Sequence, residues 1–102
     1  STANQFWLPF YKRGSSVFKV FVDGVIGNDS PESVWLIAGN NFTAARSTGK
    51  AVNIPQITRT ASEIEATVYL GDLTPEDDIH IVVKNSNGRI SEPEPVPPEA
   101  FL

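Results

Sequence analysis

The segment from Glu63 to Leu70 constrains this chain most, because its residues alternate strictly. Ile64, Ala66, Val68 and Leu70 fall on one face, and Glu63, Glu65, Thr67 and Tyr69 on the other. A period of two is that of an extended strand, and an apolar face opposite a polar one marks a strand that covers a core on one side only. Similar β-rich runs occur at Val17–Val22, ending at Asp23-Gly24, and at Ser33–Ala38, ending at Gly39-Asn40. Ala51–Ile54 is stopped by Pro55, and Ile79–Lys84 leads to Asn87-Gly88, a dipeptide suited to a tight hairpin into Arg89-Ile90-Ser91. Thr74-Pro75-Glu76-Asp77 has a capping residue, a proline at a first helical position and acids behind it, which predicts one turn of helix. No long amphipathic helix is written anywhere. Six or seven short strands at roughly eight to twelve residue spacing predict an all-β sandwich of two antiparallel sheets.

At 102 residues, 40% of them apolar, the chain has material for one core and one domain. It has no cysteine and a single histidine, so it cannot use a disulfide framework, a thiolate metal site, a thiol nucleophile or a histidine cluster. It also has no methionine and opens Ser1-Thr2-Ala3, small residues of the kind left after initiator removal. The expectation is a complete small protein, with a processed or excised module as the alternative. Lys12-Arg13 follow the aromatic run Phe6–Tyr11 instead of preceding it, the reverse of a signal peptide, and the longest apolar run, Val34 to Ala38, is far short of a membrane span. Residues 1–50 carry +2 and residues 51–102 carry −6, within a net charge of −4. An acidic chain without a basic stripe repels phosphate backbones, so neither nucleic acid nor membrane is an expected partner.

The missing Cys pair and tryptophan spacing exclude an antibody-type domain. The run Val34-Trp35-Leu36-Ile37-Ala38-Gly39-Asn40-Asn41-Phe42 nevertheless resembles the I-x-G-x-N-F strand and turn of IPT/TIG domains, a branch of the immunoglobulin-like sandwiches. Ala61–Val68 is similar to that family's S-x-x-I-x-A-x-V strand, and Ile79–Ser91 to its closing V-x-V-x-N-x-x-G-x-S hairpin. The resemblance covers about residues 24–91 and implies an immunoglobulin-like sandwich over 17–91. Asn28–Glu32 stands where the family has a Gly-Gly turn, and Thr43–Lys50 where it has a more regular short strand. The same motif implies that Gly39 turns the chain so that Phe42 plugs the end of the sandwich.

Catalytic candidates are few. His80 alternates with Ile79 and Ile81 and so faces away from them, in a structural role. The acids Asp72, Glu76, Asp77 and Asp78 lack the spacing of a calcium loop, and no nucleophile elbow, phosphate loop or zinc-helix motif occurs. The expectation is a chain that is not an enzyme, with no catalytic residues, no cofactor and no metal.

The two ends lie outside the resemblance. Residues 1–16 form an aromatic N-terminal arm or a first strand, with Phe6, Trp7, Leu8, Phe10 and Tyr11 as candidate partner-binding residues. Residues 92–102 form a proline-rich tail, Glu92-Pro93-Glu94-Pro95-Val96-Pro97-Pro98-Glu99, finished by Ala100 and two further candidates, Phe101 and Leu102. IPT/TIG-like domains act as spacers and adhesive or recognition modules, and small virion proteins reuse immunoglobulin-like folds. The expected function is a structural protein whose partners are protein subunits of a larger assembly, copies of itself included. In its most concrete form it is a phage-type capsid decoration, cement or tail protein, virion-borne or cytoplasmic. The alternative is a carbohydrate-binding or adhesive module of a larger secreted protein, extracellular, with Trp7, Tyr11 and Tyr69 facing a glycan and Trp35 as a further stacking candidate.

Overall fold

The computed structural model describes residues 6–11, 17–23, 31–59, 63–86 and 88–98, with β1 and β2 described by their pairing and register. Over these residues the chain is an all-β sandwich. Its strands are β1 (Phe6–Tyr11), β2 (Val17–Asp23), β3 (Pro31–Ala38), β4 (Ala51–Asn53), β5 (Ile57–Arg59), β6 (Glu63–Thr67), β7 (Ile79–Asn85) and β8 (Glu94–Pro95). One helix, α1 (Phe42–Ser47), lies between β3 and β4. Sheet A has the order β1-β2-β6-β5 and sheet B the order β4-β3-β7-β8, with every pairing antiparallel.

The alternation in β6 does what its pattern requires. Ile64 and Ala66 are fully buried and pack with Val34 and Leu36 of β3, Ile79, Ile81 and Val83 of β7, and with Ile54, Leu73 and Val96. These residues form the layer between the sheets. Strand β6 ends at Thr67, three residues short of the alternating run, but Val68 and Leu70 still pack against this core. Burying a side chain of this size is worth about 1.5–3 kcal/mol, so the layer dominates the stability of the fold.

Sheet B is buried on both faces. Ile37 and Val82, which point away from the inter-sheet core, form a second cluster with Ala45 of α1, flanked by Trp35, Phe42 and Ala51. This explains why Val34–Ala38 and Ile79–Val83 are apolar almost without interruption: a helix covers the outer face. The helix departs from the sequence expectation. Asn41 caps it, its Oδ1 accepting the Ala44 N–H at 2.9 Å, and the chain leaves through Gly49 at φ +75°, a left-handed position that ends helices. Phe42 consequently opens α1 and lies over the outer face of sheet B, not at the sandwich end.

Two other expectations change. Thr74–Asp77 is a single tight turn and not a turn of helix: the Asp77 N–H donates to the Thr74 carbonyl (3.0 Å), and Asp77 Oδ2 accepts the Thr74 N–H (2.9 Å). The acid that looked like a first-turn residue is the acceptor that closes a non-helical turn. The closing hairpin is less regular than a ladder. Ile90 makes an isolated bridge to Lys84, the buried Asn85 Oδ1 accepts the Arg89 N–H at 2.7 Å, and Ser91 bonds back to Val83. Asn87, the first residue of the expected Asn-Gly turn, lies outside the described residues.

The proline-rich segment joins sheet B. Pro95 pairs with His80, Glu94 with Ile81, and Val96 is buried with its N–H donating to the Ile79 carbonyl at 2.8 Å.

Candidate functional site

Register decides where the aromatic strand presents its residues. Residues directly opposite in an antiparallel pair share a face. Ala66 and Ile64 face the core, and opposite them stand Phe18 and Val20; opposite these stand Tyr11 and Pro9, and Trp7 stands opposite Val22. The positions of Trp7, Pro9 and Tyr11 therefore belong to the core-side face of sheet A. Phe6, Leu8 and Phe10 occupy the other face, in register with Asp23, Phe21 and Lys19, and continuous through Glu63 and Glu65 of β6. Sequence reading grouped these aromatics as one cluster, and the pairing divides them between two faces. Phe101 and Leu102, the other two candidates, lie outside the described residues.

β1 is an edge strand, and Pro9 fits that place because an edge is where a proline nitrogen can face away from any neighbour.

A second surface lies on the outer face of sheet B, and sequence reading missed it. An open groove of about 630 Å³ is lined by Phe42, Thr43, Arg46, Ser47, Lys84, Gly88 and Ile90. The helix builds one wall, since Thr43, Arg46 and Ser47 stand at i, i+3 and i+4 and share a side. Lys84 and the turn after β7 build the other. The Arg46 guanidinium lies 5.2 Å from the Trp35 ring centre and 5.7 Å from that of Phe42, while the two rings meet edge-on at 5.2 Å. Trp35 is half-buried, with its Nε1–H donating to Ser33 Oγ at 3.1 Å, so it supports Arg46 more than it offers an open stacking face. Ile90 is 44% exposed beside the groove. The signal that would have revealed this wall was present in the sequence: an asparagine cap and a glycine stop bracketing Phe42–Ser47.

His80 lies on the face opposite Ile79 and Ile81, half-buried, with its Nδ1 3.1 Å from the Asp78 carbonyl oxygen. That carbonyl also accepts the Gly39 N–H at 2.9 Å, which holds Asp78 at its positive φ of 30°. Asp77 faces Lys50 Nζ at 3.7 Å, a half-exposed pair that adds little stability but links the end of α1 to the 74–77 turn. Among the described residues no three His, Asp or Glu side chains are grouped so as to hold a metal ion, and no helix is long and apolar enough to cross a membrane. Tyr69, one of the glycan candidates, is 53% exposed.

Compared with known proteins, the chain significantly matches no family model, no curated protein and no solved structure.

Proposed function

We propose that this chain is a non-enzymatic assembly protein with an IPT/TIG-like, immunoglobulin-like sandwich, most concretely a small virion component that decorates or cements a capsid or belongs to a tail. The observation that carries this reading is the placement of Phe6, Leu8 and Phe10, with Phe21 opposite Leu8, at positions of the face of sheet A away from the core, on its edge strand. A row of large apolar residues on the side of a sheet away from its own core is what a docking surface requires. The IPT/TIG-like assignment rests on the order of its motifs: β3 with the Gly39 turn, β6, then β7 with its closing turn. The virion role is an analogy at the level of the fold.

Leu8→Glu and Phe10→Glu test the reading. The variants are expected to keep the circular dichroism of the native chain and to vanish from the native particle, as measured by subunit stoichiometry in mass spectrometry. Retention at native stoichiometry overturns it. The exposed Tyr69 favours a second reading, a glycan-binding module, but Trp7 and Tyr11 at core-side positions weigh against a shared stacking platform.

A further inference from the structure

The groove beside α1 is cationic in a chain that is acidic overall. Arg46 and Lys84 converge on it from two different elements, no acid among the described residues lines it, and Phe42 and Ile90 give it apolar walls. Lys50 pairs with Asp77, an ion pair that uses neither cation. An occupant that suits this lining carries a carboxylate next to large apolar side chains. The chain contains such a segment in Glu99-Ala100-Phe101-Leu102, which lies outside the described residues.

We infer that residues 99–102 of one copy dock in the groove of a second copy, Glu99 against Arg46 and Lys84, and Phe101 and Leu102 against Phe42 and Ile90. Within one copy, Glu99 cannot reach the Lys84 and Ile90 end of the groove. β8 runs antiparallel to β7, and Val96 bonds to Ile79, so the chain moves away from Lys84 as it passes Pro97 and Pro98 toward Pro75 and Asp78. From Ile79 to Lys84, β7 advances about 17 Å. The three residues from Pro98 to Phe101 span at most about 11 Å. The contact is therefore between copies and heterologous, tail to groove, a geometry that closes into rings or continues as open chains. This inference rests on the assembly reading above and supplies one contact by which copies join.

A synthetic peptide of residues 92–102 titrated into the isotope-labelled full chain at low concentration tests it by NMR. The expected result is saturable shifts of the amides of Phe42–Ser47, Lys84 and Gly88–Ile90. Glu99→Lys with Phe101→Ser in the peptide, and Arg46→Glu with Lys84→Glu in the protein, are each expected to weaken binding at least about ten-fold. No shifts, shifts confined to other surfaces, or equal binding of the substituted peptide overturns the inference. The peptide substitutions leave the protein untouched, so they decide the matter even where the double protein variant does not fold. No other subunit is present, so a negative titration leaves docking through sheet A standing. Loss of particle binding by Leu8→Glu with peptide binding intact is the reverse pattern.

Discussion

Ser91 and Val83 bond to each other twice: Ser91 Oγ accepts the Val83 N–H at 2.9 Å, and the Ser91 N–H donates to the Val83 carbonyl at 2.9 Å. Both residues are buried, so the hydroxyl stands in for a strand that the irregular closing turn does not supply. Ser91→Ala leaves a buried N–H unsatisfied and is expected to cost about 2 kcal/mol. In a domain of this size that lowers Tm by roughly 10 °C in a thermal melt. Ser91→Thr, which keeps the oxygen, is expected to lose much less.

Phe42 covers the outer cluster of sheet B and presses edge-on against Trp35. Phe42→Ala is expected to destabilise the chain by about 2 kcal/mol, less than a fully buried phenylalanine because the residue is only half-covered. Arg46→Ala removes the cation above both rings, and a double-mutant cycle in urea is expected to give a positive coupling of about 0.5 kcal/mol or more between the two positions. Strict additivity would refute the stacked arrangement.

Two glycines with positive φ are expected to respond differently to alanine. Gly39 (φ +81°) has open space where a Cβ would lie, so Gly39→Ala costs only backbone strain, about 1 kcal/mol. At Gly71 (φ +54°) a Cβ would meet Val52 Cγ2 at 3.1 Å in addition. Gly71→Ala should be the more destabilising in equilibrium urea unfolding, and combining it with Val52→Ala should cost less than the sum of the two.

Asn41→Ala removes the cap of α1 and is expected to cost about 1 kcal/mol, whereas Asn41→Asp should retain stability. Since α1 forms one wall of the cationic groove, the alanine variant should also broaden the amide resonances of residues 42–47.

Much of the sandwich was readable because one-sided burial leaves a period of two. β2, β3, β4, β6 and β7 each coincide with an alternating or β-branched run. β5 escaped because three residues after Pro55 are too few to show a period. α1 escaped for a related reason: its buried side is little more than Phe42 and Ala45, one turn apart, and its markers are the capping Asn41 and the terminating Gly49. The groove was therefore invisible in sequence, since Arg46 and Lys84 lie far apart in the chain and converge only once a helix is laid across β7 and its turn. The face to which each aromatic position of β1 belongs also needed the register, because Pro9 breaks the local pattern and only pairing with β2 fixes which positions share the core-side face.

Both ends of the described chain occupy edge strands, β1 in sheet A and β8 in sheet B, whereas β3 and β7 pair in the sheet interior. A tensile load drawn between the two termini therefore arrives first at the periphery. The two-residue pairing of β8 and the β1–β2 ladder are therefore expected to yield before the central β3–β7 pair. Val96, directly after β8, belongs to the inter-sheet core, so a load that releases β8 also uncovers one edge of that core.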